Sequence, residues 1–346
     1  MVKQLTSILS LVILLTVFTS NISAQDIHFT QFYNSPLSLN PATTGLFEGD
    51  WRVMGNYRSQ WAKIGDPFST FSAGYDQHFT VMEQDVNGGL YFVNDKSGMG
   101  GFLNVQKVFL SGGYHKELFG HDFYGGLQLG FVNKSINTQN ATFPNQWDRD
   151  PTSDGGGRFN NSLSNNENSL SEGIGYFDAN LGISWTHRFG SFVPTAGISL
   201  FHLTNPKEVF FETSEERLTM RTGMYAECRY EINKKVSLTP RVFTMATTKA
   251  TDMLFGLNGE YKIIDSYTTD AAVYGGFLFR DGIKSKFDAS AFVVGLKVNN
   301  LDVGFSYDMT ISDLQTAANN VGGFEISVIY ISNKIPKKIV IPCDRL

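Results

Sequence analysis

Six histidines, two cysteines and a set of spaced aspartates carry the most obvious chemistry in this 346-residue chain. His28, His78, His115, His121, His187 and His202 could act as bases or metal ligands, but none stands in a His-Glu-x-x-His pattern. Cys228 and Cys343 lack zinc-ribbon spacing. They could form one bridge in an oxidising compartment, while packing of Cys228 as a free small side chain is the competing reading. Asp148, Asp150 and Asp154 could converge on a hard cation, yet Arg149 and Pro151 interrupt them and no EF-hand pattern surrounds them, which favours a solvated loop. No Gly-x-Ser-x-Gly nucleophile turn and no phosphate-binding loop occurs. The expected protein is not an enzyme and uses no cofactor or metal. Arg52 and Arg58 suggest a different chemistry: they share a polar face, where they would pair with buried carboxylates or contact a partner.

The elements that must carry these side chains read as strands. Trp51, Val53, Gly55 and Tyr57 occupy one parity, and Arg52, Met54, Asn56, Arg58 and Gln60 the other. A period of two puts these sets on opposite faces of a strand, whereas an amphipathic helix would group apolar residues every three or four positions. The same rhythm sets Leu127, Leu129 and Phe131 against Gln128 and Gly130. It returns with Met253, Phe255, Leu257 and Tyr261 against Asn258, Glu260 and Lys262, and with Leu301, Val303, Phe305, Tyr307 and Met309 against Asp302, Ser306 and Asp308. One face suits lipid and the other a polar lumen.

Fourteen strands are predicted: 50–61, 68–80, 86–95, 103–117, 121–134, 173–189, 192–204, 218–231, 235–247, 252–263, 269–281, 285–298, 301–311 and 321–332. A tilted strand needs about 9 to 11 residues to cross the apolar layer. Connections at one side are all short, near 80–86, 117–121, 188–192, 231–235, 263–269 and 298–301, as periplasmic turns of outer-membrane barrels are. The opposite side holds the long Asn-, Ser- and Gly-rich stretch 134–173 and the connections 205–218 and 312–321. The fold class expected is all-β, a transmembrane antiparallel β-barrel of about 14 strands with both termini periplasmic. An even count permits closure, which hides the edge donors and acceptors that lipid cannot satisfy. Trp51, Trp61, Tyr75, Tyr176, Trp185, Tyr225, Tyr307 and Tyr330 are candidates for the interfacial belts.

Residues 1–24 read as an export signal: Lys3, an apolar stretch from Leu5 to Phe18, and Ser23-Ala24 ahead of Gln25. After Gln25 no run of eighteen apolar residues occurs, so helical membrane spans are not expected. A net charge of −5 without a basic stripe argues against nucleic-acid binding. The domain reading is a signal peptide at 1–24, a periplasmic or plug-like segment at 25–49, a barrel at 50–332 and a periplasmic tail at 333–346. Pro36 and Pro41 restrict the backbone, and Asn40 and Gly45 favour turns, so the 25–49 segment should be ordered without being a strand. A structural cap is the leading reading for it, ahead of a direct partner-binding motif.

The run Gln31-Phe32-Tyr33-Asn34-Ser35-Pro36-Leu37, with Asn40-Pro41-Ala42-Thr43-Thr44-Gly45 after it, is more specific than a barrel requires. It resembles the opening signature of the PorP/SprF family of the type IX secretion system. Asn56-Tyr57-Arg58-Ser59-Gln60-Trp61 and Pro67-Phe68-Ser69-Thr70-Phe71-Ser72 resemble that family's first hairpin. Gly323-Phe324-Glu325-Ile326-Ser327 is a looser match, and Cys343-Asp344-Arg345-Leu346 is similar to the ending of SprF-like members. The resemblance implies an outer-membrane barrel of Bacteroidota, active in protein secretion and often in gliding motility. It also implies partners: a large secreted adhesin with a C-terminal sorting domain, other secretion or motility proteins, and outer-membrane lipid. The residues singled out as a partner-binding or structural motif are Gln31, Phe32, Pro36, Asn40, Pro41, Gly45, Arg52, Arg58, Trp61, Cys343 and Arg345. A passive porin or small-solute channel and a structural envelope anchor are the competing functions, since a polar inner face suits any of the three.

Overall fold

The structure, a computed structural model, describes residues 28–60, 66–82, 84–98, 101–137, 144–148, 157–160, 163, 173–208, 210, 216–248, 250–266, 268–281, 289–311 and 322–334. Trp61, Cys343, Arg345, Asp150, Asp154 and the expected signal peptide lie outside them.

Alternating side chains and turn residues produce the strands β1 (Trp51–Gln60), β2 (Phe68–Val81), β3 (Gln84–Ser97), β4 (Leu103–Leu118) and β5 (His121–Ile136). A small hairpin of β6 (Trp147–Asp148) and β7 (Arg158–Phe159) falls in the stretch read from sequence as loop. The strands resume as β8 (Gly173–Thr186), β9 (Phe192–Phe201), β10 (Arg221–Glu231), β11 (Val236–Ala246) and β12 (Thr251–Asp265). The last four are β13 (Asp270–Asp281), β14 (Ala289–Val298), β15 (Leu301–Thr310) and β16 (Gly323–Ile331). All but β6 and β7 join one closed antiparallel barrel of fourteen strands, in which each pairs with its sequence neighbours and β1 pairs with β16. The fourteen predicted strands and their closure match this architecture.

Closure leaves no sheet edge at the β1–β16 seam, where Arg52 to Gln60 face Ile331 to Gly323 in unbroken register. The short turns, among them Phe119–Gly120 and Asn299–Asn300, gather at one rim with Trp51 and Ile331. Phe119 and Gly120 both adopt positive φ, the conformation that suits a two-residue hairpin to the twist of its strands.

Parity sorts the walls as expected. Val53, Tyr57, Leu127, Leu129, Phe131, Leu257, Val303 and Phe305 are exposed on the outer face, while Arg52, Asn56, Arg58, Gln128, Asn258, Ser306 and Asp308 are buried inside. Trp51 lies 6.3 Å from Tyr75 and 5.4 Å from Tyr330, an outward aromatic group at the short-turn rim. Tyr176 and Tyr225 depart from the belt reading: both are buried in the lumen, and Tyr225 meets Ser184 at 2.7 Å between hydroxyls. Cys228 is half-buried, on the parity of β10 that it shares with the exposed Met224.

The polar-lumen expectation needs a larger correction. Met54, Tyr91, Val93, Val105, Phe109, Phe243, Met245, Leu254, Leu278 and Val293 also point inward and are buried. Apolar side chains facing a water-filled bore would be unfavourable. In this barrel they are covered by the chain's own N-terminal segment.

Candidate functional site: the lumenal N-terminal segment

Residues 28–50 run along the inside of the barrel. A 3-10 turn at Phe32–Asn34, the single helical turn α1 (Pro36–Leu39) and a second 3-10 turn at Pro41–Thr43 fold the segment compactly. Pro36 and Pro41 stand at the first positions of their turns, where a missing backbone N–H costs nothing and the fixed φ suits the turn. Asn40 begins the second turn: its Oδ1 accepts from the N–H of Ala42 at 2.8 Å. Gly45 ends the compact part with φ +78°, a conformation that disfavours any side chain.

Two apolar patches hold the segment to opposite walls. Phe32 and Leu39 pack with Phe243, Met245, Leu254 and Leu278, with the Phe32 and Phe243 rings 5.2 Å apart. Leu37, fully buried, packs with Met54, Tyr91, Val93, Val105 and Phe109. Each of these side chains stabilises the seated state by roughly 1.5–3 kcal/mol relative to exposure. The backbone polar groups that a non-strand segment leaves unpaired are met by wall side chains. Gln128 donates to the carbonyl of Leu37 at 2.9 Å, and Ser199 donates to that of Leu39 at 3.2 Å. The amide of Asn40 donates to the carbonyls of Ile183 and Ile198 at 3.0 and 3.1 Å.

Two buried charge clusters clamp its ends. Toward the long-loop side, Glu325 accepts from the backbone N–H of Thr30 and Gln31 at 2.8 and 2.9 Å. Arg58 donates to Glu325 at 3.1 Å and to Asp308 at 2.8 Å, and the Thr30 hydroxyl donates to Asp308 at 2.8 Å. The Gln31 side chain is held too, its Oε1 accepting from Ser327 at 3.0 Å. Toward the short-turn side, Arg52 grips Asp76 with two bonds of 3.0 and 2.7 Å and donates to the carbonyl of Thr43 at 3.1 Å. Asp76 also accepts from the N–H of Gly45 at 2.9 Å. Each carboxylate thus meets both a guanidinium and plug donors, the condition under which buried charge is tolerable. Burial lifts the Tyr33 phenol to about 12, against the opposing pull of Arg241, whose guanidinium lies 4.0 Å from the ring.

The segment also depends on glycines in the wall. A Cβ at Gly126 would strike Pro41, one at Gly182 would strike Asn40, and one at Gly113 would come within 2.6 Å of the Thr44 carbonyl oxygen. These glycines lie on the neighbouring strands β4, β5 and β8 and let the turn at Pro41 lie against bare backbone.

Of the residues singled out in the sequence, Gln31, Phe32, Pro36, Asn40, Pro41, Gly45, Arg52 and Arg58 therefore converge on one structure, the seated segment and its clamps. Arg52 and Arg58 pair internally. Of the carboxylates that receive them, Asp76 was not singled out and Glu325 stood only in the looser family match; the wall glycines Gly113 and Gly182 were not singled out either. Polar parity marks both carboxylates, but nothing local in the sequence assigns them to a particular arginine. The sheet ends Trp51 and Ile331 lie at the short-turn rim, but Thr30 is bonded near the long-loop ends of β1, β15 and β16.

Below the segment, cavities of about 760 and 490 Å³ open at the short-turn rim, the first lined by Arg52, Lys297 and Asp302, the second by Arg229, Glu260 and Lys262. On the long-loop side a pocket of about 40 Å³ lies between Phe29, Leu37, Phe109 and His202. Among the described residues no group of three or more His, Cys, Asp or Glu is arranged to hold a metal ion. The arrangement can block, brace and bind.

The fold is similar to that of solved bacterial outer-membrane barrels. A TodX monoaromatic hydrocarbon channel mutant matches with a TM-score of 0.50 at 10% identity, covering 90% of this chain and 95% of that one. The Ralstonia pickettii toluene transporter TbuX matches with a TM-score of 0.49 at 10% identity, covering 87% and 94%. At such identity the likeness is one of fold. No curated protein sequence matches the chain. The family model described as type IX secretion system membrane protein PorP/SprF matches residues 21–330, nearly the whole barrel together with the segment that fills it. The chain belongs to the PorP/SprF family of type IX secretion system membrane proteins.

Proposed function

We propose that this protein is a plugged, non-enzymatic outer-membrane component of type IX secretion or gliding motility that assists export or surface attachment of a large adhesin. One observation carries the reading against a passive porin: inward-facing apolar side chains on both walls are covered by Phe32, Leu37 and Leu39, so the bore is filled by the protein's own chain. A barrel closed in this way serves as a rigid platform in the membrane, and its loops, rims and vestibules become the surfaces that meet other proteins.

In this reading residues 1–24 are removed as a signal peptide, and the short-turn rim, with its two vestibules and the 333–346 tail, faces the periplasm. The long loops face the cell surface. Partners are the adhesin, through its C-terminal sorting domain, and further secretion or motility proteins, with lipid around the outer face. Energy comes from those partners. Gln31, Asn40, Pro41, Arg52 and Arg58 brace the closed lumen. Trp61, Cys343 and Arg345 remain the motif residues proposed for partner contact.

The test is a pair of measurements on the intact protein. In a planar bilayer it should show no steady open conductance, and from gently solubilised envelopes it should co-purify with the adhesin. Steady conductance without adhesin recovery would favour a porin. Normal adhesin export in a deletion strain, with only envelope components recovered, would replace the proposal with a structural anchor.

A further inference from the structure

The two cavities at the short-turn rim differ in charge. Among the described residues, the carboxylates Glu48, Asp270 and Asp302 of the larger one face the cations Arg52, Lys297 and Lys334. The smaller, of about 490 Å³, is lined by four cations, Arg229, Lys234, Lys235 and Lys262, and by three carboxylates. Two of these carboxylates are already taken from outside it: Arg188 holds Glu231 at 2.8 Å, and Lys297 holds Glu260 at 2.5 Å. Lys234 and Lys235 are exposed, and among the described residues their side chains form no ion pair. In a chain of net charge −5 this is a local surplus of positive charge.

Fixed elements carry this surplus. Glu231, Ser237 and Glu260 stand in one cross-strand row over β10, β11 and β12, on the parity opposite the outward Tyr230 and Tyr261. The cavity therefore lies on the lumenal side of the wall. In the β10–β11 turn Asn233 Oδ1 accepts from the N–H groups of Lys235 and Val236 at 2.8 and 2.9 Å, which holds the turn that presents both lysines. The Lys235 carbonyl accepts from the N–H of Lys262 at 2.8 Å, so these two lysines are neighbours across the β11–β12 ladder. Like charges set opposite each other destabilise a sheet, and an anion between them removes that penalty. Arg229 donates to Glu260 at 2.9 Å, while its Nε is buried with no hydrogen-bond partner, so this wall also carries an unused donor.

We propose that this vestibule binds an extended acidic segment of a periplasmic protein, whose Asp and Glu side chains pair with Lys234, Lys235 and Lys262. Its volume of about 490 Å³ lies in the range of sites that enclose several groups rather than one small ion. The lumenal position sets it apart from the lipid around the outer face. The chain's own tail has the wrong sign, with Lys334, Lys337 and Lys338, and a second copy would bring the same surplus. Charge-assisted bonds at an open rim give fast, salt-sensitive association, which suits a partner that is engaged and released during export. The inference rests on the secretion reading above for the side this rim faces, and it names the chemistry that a partner must present there.

Purified full-length protein in detergent, titrated with a short fluorescent peptide of alternating Glu and Ser and with one of alternating Lys and Ser, tests it. The acidic probe should bind and the basic one should not, and the affinity should fall steeply between about 0.05 and 0.5 M salt. Lys234→Glu with Lys235→Glu, both on the exposed turn, should weaken binding at least about tenfold. Lys234→Arg with Lys235→Arg should keep it, and Lys116→Glu, on β4 outside the cavity, should leave it unchanged. The heat-dependent shift on gels shows that each variant is folded. Equal binding of the two probes, an unchanged affinity in the double reversal, or an equal loss in Lys116→Glu would overturn the inference. So would displacement by millimolar inorganic phosphate, the mark of an adventitious ion only. The titration can fail while the secretion reading stands; a deletion strain that exports normally would sink that reading and leave the titration to decide the site.

Discussion

Arg58 and Glu325 sit directly opposite each other in the register of the first and last barrel strands, and the guanidinium donates to the carboxylate at 3.1 Å. One ion pair thus spans the seam that closes the barrel, and the same carboxylate holds the backbone of Thr30 and Gln31. Closure of the sheet and seating of the plug are coupled through a single buried group.

Removing one partner should therefore cost more than removing the whole cluster. Arg58→Met leaves Asp308 and Glu325 buried without their shared counter-charge, and a loss of about 3–5 kcal/mol is expected. The triple change Arg58→Met, Asp308→Asn, Glu325→Gln should be markedly milder. Unfolding in detergent, followed by the heat-dependent shift of the folded barrel on gels, measures both. Equal losses in the single and triple variants would refute the coupling.

The wall glycines give a sharper test of the plug. Gly182→Ala places a methyl group against Asn40, whereas Gly125→Ala meets nothing within 4 Å. The first should loosen the segment, seen as new conductance in bilayers or new protease cleavage between residues 28 and 49. The second should behave as wild type. A tight plug in both would show that the contact is easily relieved.

Alkaline pH should act on the seated segment through Tyr33. Its folded value, about 12, lies above the ordinary 10.0, so the neutral phenol is favoured in the folded state. The stabilisation is complete below pH 10 and is lost as pH rises from there through 12. Tyr33→Phe should flatten this part of the stability–pH curve. An identical curve in the variant would show that Tyr33 has no part in the alkaline loss.

A surface pair supplies the contrast. Arg188 and Glu231 meet at 2.8 Å at the short-turn rim, but the arginine side chain is 59% exposed. Arg188→Ala should change stability by less than about 1 kcal/mol, and added salt should shrink even that. A loss comparable to that of Arg58→Met would mean that burial does not set the strength of these ion pairs.

Much of this could be read from residue order. Trp51 to Gln60 announce a two-faced strand, the short connections announce a common rim, and the opening run from Gln31 to Gly45 announces an ordered non-strand segment and a family. The pairing of Arg52 and Arg58 inside the barrel follows from the cost of leaving either charge alone there. Tyr176 and Tyr225 show the limit: an aromatic ring suits a lipid belt or a packed lumen, and the choice depends on what else fills that lumen.

Periodicity is a local property, so the sequence alone determined the strands, their two faces and the even count that allows closure. What only the tertiary structure decided is nonlocal. Glu325 meets Thr30 across nearly the whole chain, bare backbone at Gly126 and Gly182 receives Pro41 and Asn40, and β9 stops short of the end of β8. Each depends on register and on which wall a distant segment touches. Those are set by the combined packing energy of many strands, and no window of neighbouring residues contains that sum.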